Sequence, residues 1–125
     1  MDVSTEHIEI VEGAGGLLVP INDKEMIINV ISTLNLPAVV AVRSTLGTIN
    51  HSLLTLEALR KREIPVAGVV MVGNPSADNR EAIETFGGVH VLGCMPFFED
   101  LTAKTLSIWA ETELDLKGHL WELFR

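Results

Sequence analysis

Four short runs in this chain are apolar at nearly every position: Ile8-Glu9-Ile10-Val11, Ala38 to Val42, Val66 to Val72, and Val89 to Gly93. Runs that are apolar on both faces and rich in Val and Ile suit strands covered above and below, as in a parallel sheet. Helix-period segments lie between them. From Asp23 to Leu34, the residues Ile27, Val30, Ile31 and Leu34 fall at i, i+3, i+4 and i+7, which predicts an amphipathic helix with Asn22 or Asp23 as N-cap. A second helix is predicted from Thr48 to Arg62, with Ile49, Leu53, Leu56 and Leu59 on one face and Pro65 as its exit. Arg60, Lys61 and Arg62 complement the dipole at its C-terminus. The third, Asp78 to Phe86, has Asp78 three residues before Glu81 in capping-box fashion and stops at Gly87-Gly88. After Pro96 the alternation ends. Phe97 to Asp100 reads as a loop, and Leu101 to Arg125 as two helical stretches in which Trp109, Leu120, Trp121 and Phe124 pack, or in which the terminal Trp and Phe mark an oligomer contact.

Strand and helix alternating three times predict a single α/β domain over residues 1–125: a three-layer, mostly parallel sheet with flanking helices. Right-handed crossovers place every strand's C-terminal end on one edge of such a sheet, where α/β proteins bind ligands. Composition narrows the classes. Nine basic against seventeen acidic residues give a net charge of −8, which repels a phosphate backbone and excludes a basic nucleic-acid surface. The single cysteine, Cys94, rules out an intrachain disulfide and, with no CxxC or histidine pairing, reads as a small buried thiol beside Met95. No basic-then-apolar leader and no apolar run near the ~20 residues of a membrane span occur, so a soluble, cytoplasmic chain is expected.

The chemistry sits in the loops after the four runs. Glu12-Gly13-Ala14-Gly15-Gly16 closes the run His7 to Val11, placing a carboxylate that can hold a metal beside glycines that let backbone N–H groups approach an anion. The second loop, Arg43 to His51, opens a helix whose free N–H groups can bind a carboxylate or phosphate. The third is Gly73-Asn74-Pro75 and the fourth Met95-Pro96-Phe97-Phe98. A G-x-x-x-x-G-K-[ST] loop, the usual companion of such an acid, is absent from the sequence. The chain thus carries much of a nucleotide site without a phosphate cradle.

Glu12-Gly-Ala-Gly-Gly16 with Pro20 behind it, Leu46-Gly47-Thr48-Ile49-Asn50-His51 opening the next helix, Asn74 after the third run and Pro96 after the fourth resemble the C-terminal part of the dethiobiotin synthases, over about Ile8 to Phe98. That resemblance implies a partial P-loop-type doubly wound fold and a homodimer. It also implies ATP- and Mg²⁺-dependent closure of the ureido ring of 7,8-diaminopelargonate with CO₂. Position by position, Glu12 matches the family's magnesium ligand, a hard oxygen suited to an ion that keeps several waters and bridges phosphates. Gly13, Ala14 and Gly15 match backbone lining the nucleotide, with Gly15 also facing the diamine. Leu46, Gly47 and Asn50 match the segment that grips the pelargonate carboxylate across the dimer interface. Asn74 matches the adenine reader; Pro75 stands where aspartate is frequent, which removes an N–H and an acceptor. Pro96, Phe97 and Phe98 match the loop closing over the base, Phe97 offering a stacking face. His51 takes no catalytic role.

The family's P-loop, active-site lysine and metal-binding aspartate belong to a portion that would precede Met1, so no catalytic residue is expected here. Its P-loop strand lies beside the Glu12 strand. Without it, either the 8–11 and 38–42 runs pair directly or another chain fills the gap. The expected function is that of a dethiobiotin synthase acting with a separate P-loop-bearing segment. The alternative is a degenerate relative serving as a nucleotide- or diacid-binding or dimerisation module.

Overall fold

The computed structural model describes residues 9–124. Its centre is a three-stranded sheet formed by β1 (Ala38–Arg43), β2 (Val66–Val72) and β3 (Val91–Met95), in the order β1-β2-β3. Both pairings are parallel, as the two-faced apolar runs predict. The helices are α1 (Ile27–Leu34), α2 (Thr48–Lys61), α3 (Ala77–Gly87) and α4 (Ala103–Glu113), followed by a 3₁₀ turn at Trp121–Phe124.

Two joined clusters make the core. Leu56 from α2 and Ile83 from α3 meet Val69, Met71 and Val91 from the strands, with Val40 and Val42 packed against them. Ile28 from α1 joins Leu59 and Ile64, with Ala38 and Val40 alongside. Since β1 alternates, Val40 and Val42 face this helical layer and Val39, Ala41 and Arg43 face the opposite side, where all three are exposed. On that opposite side lies α4, over the β3 margin: a Cβ added at Gly93 would stand 3.3 Å from the Trp109 ring and 3.1 Å from the Glu113 carbonyl oxygen. Gly93 pairs with Val70, and Val70 with Ala41, so the three share a face. The third layer therefore covers β3 and leaves β1 bare.

Several expectations change. Residues 9–11 form no strand, and Ile8 lies outside the described residues; neither is there direct pairing of 9–11 with β1. The first helix begins at Ile27 rather than Asp23, because Asn22 Oδ1 accepts the Lys24 and Glu25 N–H groups in a local turn (2.9 and 2.8 Å) and Pro20 bridges Met26. Asn29 instead accepts the Met26 N–H at 2.7 Å, so that neither Asn22 nor Asp23 caps the helix. On α1 the fully buried residue is Ile28, while Val30 and Leu34 are exposed. The cap of α3 is Ser76, whose Oγ accepts the Asn79 N–H at 3.3 Å, and not Asp78. β3 starts two residues later than its apolar run, because Gly88 in the left-handed conformation ends α3 and the chain needs Val89 and His90 to return to the sheet. Trp121 is 57% exposed, against the packing role expected of it; the side chain of Phe124 lies outside the description.

Candidate functional site

The C-terminal ends of the three strands are tied across one another. Ser44 N–H donates to the Val72 carbonyl (3.0 Å), and Gly73 N–H donates to the Met95 carbonyl (2.8 Å). Ser44 is buried, and its carbonyl accepts the Asn79 side-chain amide at 3.1 Å, linking the first turn of α3 to the loop after β1. Gly73 holds φ +124, and a Cβ there would lie 2.6 Å from Ser44 Oγ and 3.3 Å from the Phe97 ring. Only glycine fits both the backbone and the space. Asn74, Pro75, Pro96 and Phe97 are exposed around this junction, Phe97 at 75%, while Phe98 is half-buried. Cys94 lies beneath it, with Sγ 3.7 Å from the Gly73 carbonyl and its own carbonyl accepting Trp109 Nε1 at 3.1 Å. Burial pushes the Cys94 thiol above its ordinary pKa, and the Arg80 charge offsets part of that rise.

A second grouping faces a cavity of about 770 Å³ beside β1. Gly13, Ala14, Gly15 and Gly16 line it together with Thr45, Leu46, Gly47, Thr48 and the whole of β1. Gly15 and Gly16 have φ of +95 and +109. The loop is held to α1 from behind, since Ile28 N–H donates to the Leu17 carbonyl and Ile27 N–H to Val19, both at 2.9 Å. Across the cavity, Gly47 (φ +92) caps α2 without a side-chain bond, leaving N–H groups of a 14-residue helix turned outward at its first turn. Thr48 and Ser52 are buried behind it, their hydroxyl oxygens 3.4 Å apart. Arg43, exposed at the end of β1, is also among the cavity's lining residues.

The residues expected from sequence therefore separate into two adjacent sets. Gly13, Ala14, Gly15, Leu46 and Gly47 share the cavity; Asn74, Pro75, Pro96, Phe97 and Phe98 surround the Gly73 junction; Ser44 stands between them. Glu12 and Asn50 are exposed and not among the cavity's lining residues. His51 lines it as an exposed member of α2. Sequence reasoning placed Arg43, Ser44 and Gly73 in the loops of the ligand edge and missed Asn79. The signal for Gly73 was present, a glycine directly after an apolar strand; that for Asn79 was not, because its partner lies 35 residues away.

Among the described residues no cluster of three or more His, Cys, Asp or Glu side chains is placed to hold a metal ion. Mg²⁺ does not need one, since it takes one or two carboxylates together with phosphate oxygens and waters. Glu12, next to the glycine loop, fits such a single-carboxylate role. No described helix is long and apolar enough to cross a membrane.

Comparison with known proteins places these features. The AAA domain family matches residues 4–105. The chain is 52% identical over 103 residues to an ATP-dependent dethiobiotin synthetase of Paramagnetospirillum magneticum, covering 82% of this chain and 50% of that protein. It is 47% identical over 97 residues to the Lawsonia intracellularis dethiobiotin synthetase, covering 78% and 48%. Against a biotin biosynthesis bifunctional protein of Bordetella avium it is 54% identical over 102 residues, covering 82% and 22%. The chain spans about half the length of the single-function relatives it matches.

Proposed function

Because this chain belongs to the AAA domain family and is dethiobiotin synthase-like, we propose that it forms part of a synthase that carboxylates 7,8-diaminopelargonate with CO₂ and closes the ring to dethiobiotin at the expense of ATP. In this reading it works in the cytoplasm as a homodimer, together with a P-loop-bearing segment. The observation that carries the reading is the cavity shared by the Gly13–Gly16 loop and the N-terminus of α2. One side offers close backbone approach for phosphates, the other outward N–H groups for an anionic substrate end.

The residue roles are those that the family resemblance implies. Gly13, Ala14 and Gly15 line the phosphates, Gly15 also facing the diamine; Leu46, Gly47 and Asn50 hold the pelargonate carboxylate. Asn74 pairs with the purine edge through its amide, with Pro75 limiting what its neighbour can add. Pro96, Phe97 and Phe98 close over the base, the exposed Phe97 ring supplying a stacking face. Glu12 is the residue to hold Mg²⁺, which when bound neutralises phosphate charge. No residue of this chain is assigned proton or phosphoryl transfer. Positive charge around the transferring group is required, and Arg43 is a cationic residue among those lining the cavity.

Calorimetric titration with Mg²⁺–ATP and with diaminopelargonate, alone and after adding a P-loop-bearing segment of a related synthase, tests this. Ring closure in the mixture, and loss of Mg²⁺-dependent nucleotide binding in Glu12→Ala, are the expected results. Unchanged nucleotide binding in that variant removes Glu12 from the site. Nucleotide or diacid binding by the chain with no turnover in any mixture favours a non-catalytic binding or dimerisation module.

A further inference from the structure

After α4 the chain runs back along β3 in the opposite direction. A Cβ added at Gly93 would stand 3.1 Å from the Glu113 carbonyl oxygen and 3.5 Å from Leu114 Cα, and the Asp115 N–H donates to the Leu92 carbonyl at 2.7 Å. The His119 ring then stacks on His90, with centroids 3.7 Å apart and planes 3° from parallel. Residues 113, 115 and 119 thus meet 93, 92 and 90 in turn and form a strap on β3, a strand that pairs with β2 alone among the described residues. The strap lies beyond residue 105, where the family match ends, and the stack sits at the end of β3 away from Met95 and the ligand edge. The two rings are held differently. His90 is fixed by the sheet, its carbonyl accepting the Val69 N–H at 2.9 Å. His119 rests on one small turn, in which Gly118 N–H donates to the Asp115 carbonyl and Leu120 N–H to Asp115 Oδ2, both at 2.8 Å. Asp115 is buried with φ +51, a left-handed conformation uncommon for a residue with a side chain, so this turn keeps its shape only while its contacts hold.

Nothing near the stack is placed to neutralise added positive charge. His119 Nε2 and Asp115 Oδ1 are both buried without a hydrogen-bond partner among the described residues, so the carboxylate does not pair with the ring. Glu84 shares a surface hollow with His90 but is taken by Arg80 at 2.8 Å. Arg60 and Arg80 donate to the Gly88 and Val91 carbonyls on either side of His90, at 3.0 and 3.1 Å. Lys117 and Glu122, both exposed, flank His119 along the strap and offset each other in charge. Two neutral imidazoles stack favourably, as does one neutral ring with one cation; two cations at this spacing repel. We propose that the His90–His119 stack is a pH-sensitive latch. Neutral imidazoles hold the strap on β3; uptake of a proton by each ring drives His119 away, frees the Asp115 turn and bares the Leu92 carbonyl. Docking is full above the range in which imidazoles ordinarily gain protons and is lost as pH falls through it.

The test is residue-resolved amide exchange of the chain, read as protection relative to the free-peptide rate, at about pH 7.5 and about pH 5.5, on either side of the ordinary imidazole range. Protection of the Asp115 amide is expected to fall at least tenfold between the two, while that of the Val69 amide, bonded to the His90 carbonyl inside the sheet, holds. His119→Phe and His90→Phe each keep a ring in the stack and leave a single imidazole, whose cation an aromatic face accepts. In both variants the Asp115 amide is expected to stay protected at the lower pH. No fall in the unaltered chain, an equal fall at Val69, or a fall that persists in either variant overturns the latch. His90 is exposed, so His90→Phe leaves the core untouched. Should neither variant fold, the contrast between Asp115 and Val69 in the unaltered chain decides.

Discussion

Gly73 shows how one missing Cβ shapes a site. Its φ of +124 is unfavourable for any side-chain-bearing residue, and the nearest atoms are a buried serine oxygen at 2.6 Å and an aromatic ring at 3.3 Å. Gly73→Ala combines backbone strain with overpacking, for an expected loss of about 3 kcal/mol in folding stability. A denaturant midpoint measured against the unaltered chain checks it; a loss under about 1 kcal/mol would mean that Ser44 and Phe97 yield freely. Two residues before the loop that carries Phe97, Cys94 makes a pH prediction with a definite sign. Its pKa is raised in the folded chain by burial, so folding favours the neutral thiol. The associated stability is full below the ordinary thiol pKa of about 8.5 and falls as pH climbs from there through the folded value. Alkylation of native Cys94 near that pH is expected to run slower than that of the unfolded chain, and equal rates would contradict the burial.

At the scale of elements, the helix α3 joins a legible feature to an illegible one. Its position between two apolar runs was readable, and so was its end at the paired glycines. Its cap was not, since both Ser76 and Asp78 satisfy the chemistry and only the turn of the backbone out of β2 decides between them. Ser76→Ala is expected to cost about 1 kcal/mol through the lost bond to the Asn79 N–H. Asn79→Ala leaves that cap in place but frees the Ser44 carbonyl, so its effect belongs to the loop after β1. We expect a stability loss of about 1 kcal/mol together with faster amide exchange in residues 44–47; a stability loss alone would show that Asn79 does not order the loop. The same distinction explains the strand that did not form. Hydrophobic alternation reports that a segment could be covered, and it was sufficient for β1, β2 and β3, which have each other. For residues 9–11 the described structure supplies no neighbouring strand, and without a ladder an apolar run has no reason to be one. The glycine loop that follows was legible because it depends on local backbone freedom; the burial of Ser44 was not, because it depends on contacts made across three strands.

For the whole molecule, incomplete cover has a physical consequence. Val39 is 47% exposed on the bare face of an edge strand, with Ile10, Val11 and Leu36 among the exposed apolar residues elsewhere. A second exposed set, Leu101, Ile108, Leu116 and Trp121, belongs to α4 and the segments around it. Either set could drive association of the isolated chain, but the β1 edge adds unpaired backbone groups to its apolar surface, whereas helical backbone is already bonded internally. Net charge of −8 opposes association at low salt and is screened as salt rises. Light scattering of the isolated chain is therefore expected to increase with ionic strength. Val39→Lys places a charge on the strand without touching the helical layer, since Val39 faces away from Val40 and Val42. It is expected to suppress that scattering while shifting the unfolding free energy by no more than about 0.5 kcal/mol. Scattering that persists in Val39→Lys but disappears in Trp121→Ser would move the sticky surface from the open edge of the sheet to the C-terminal segment.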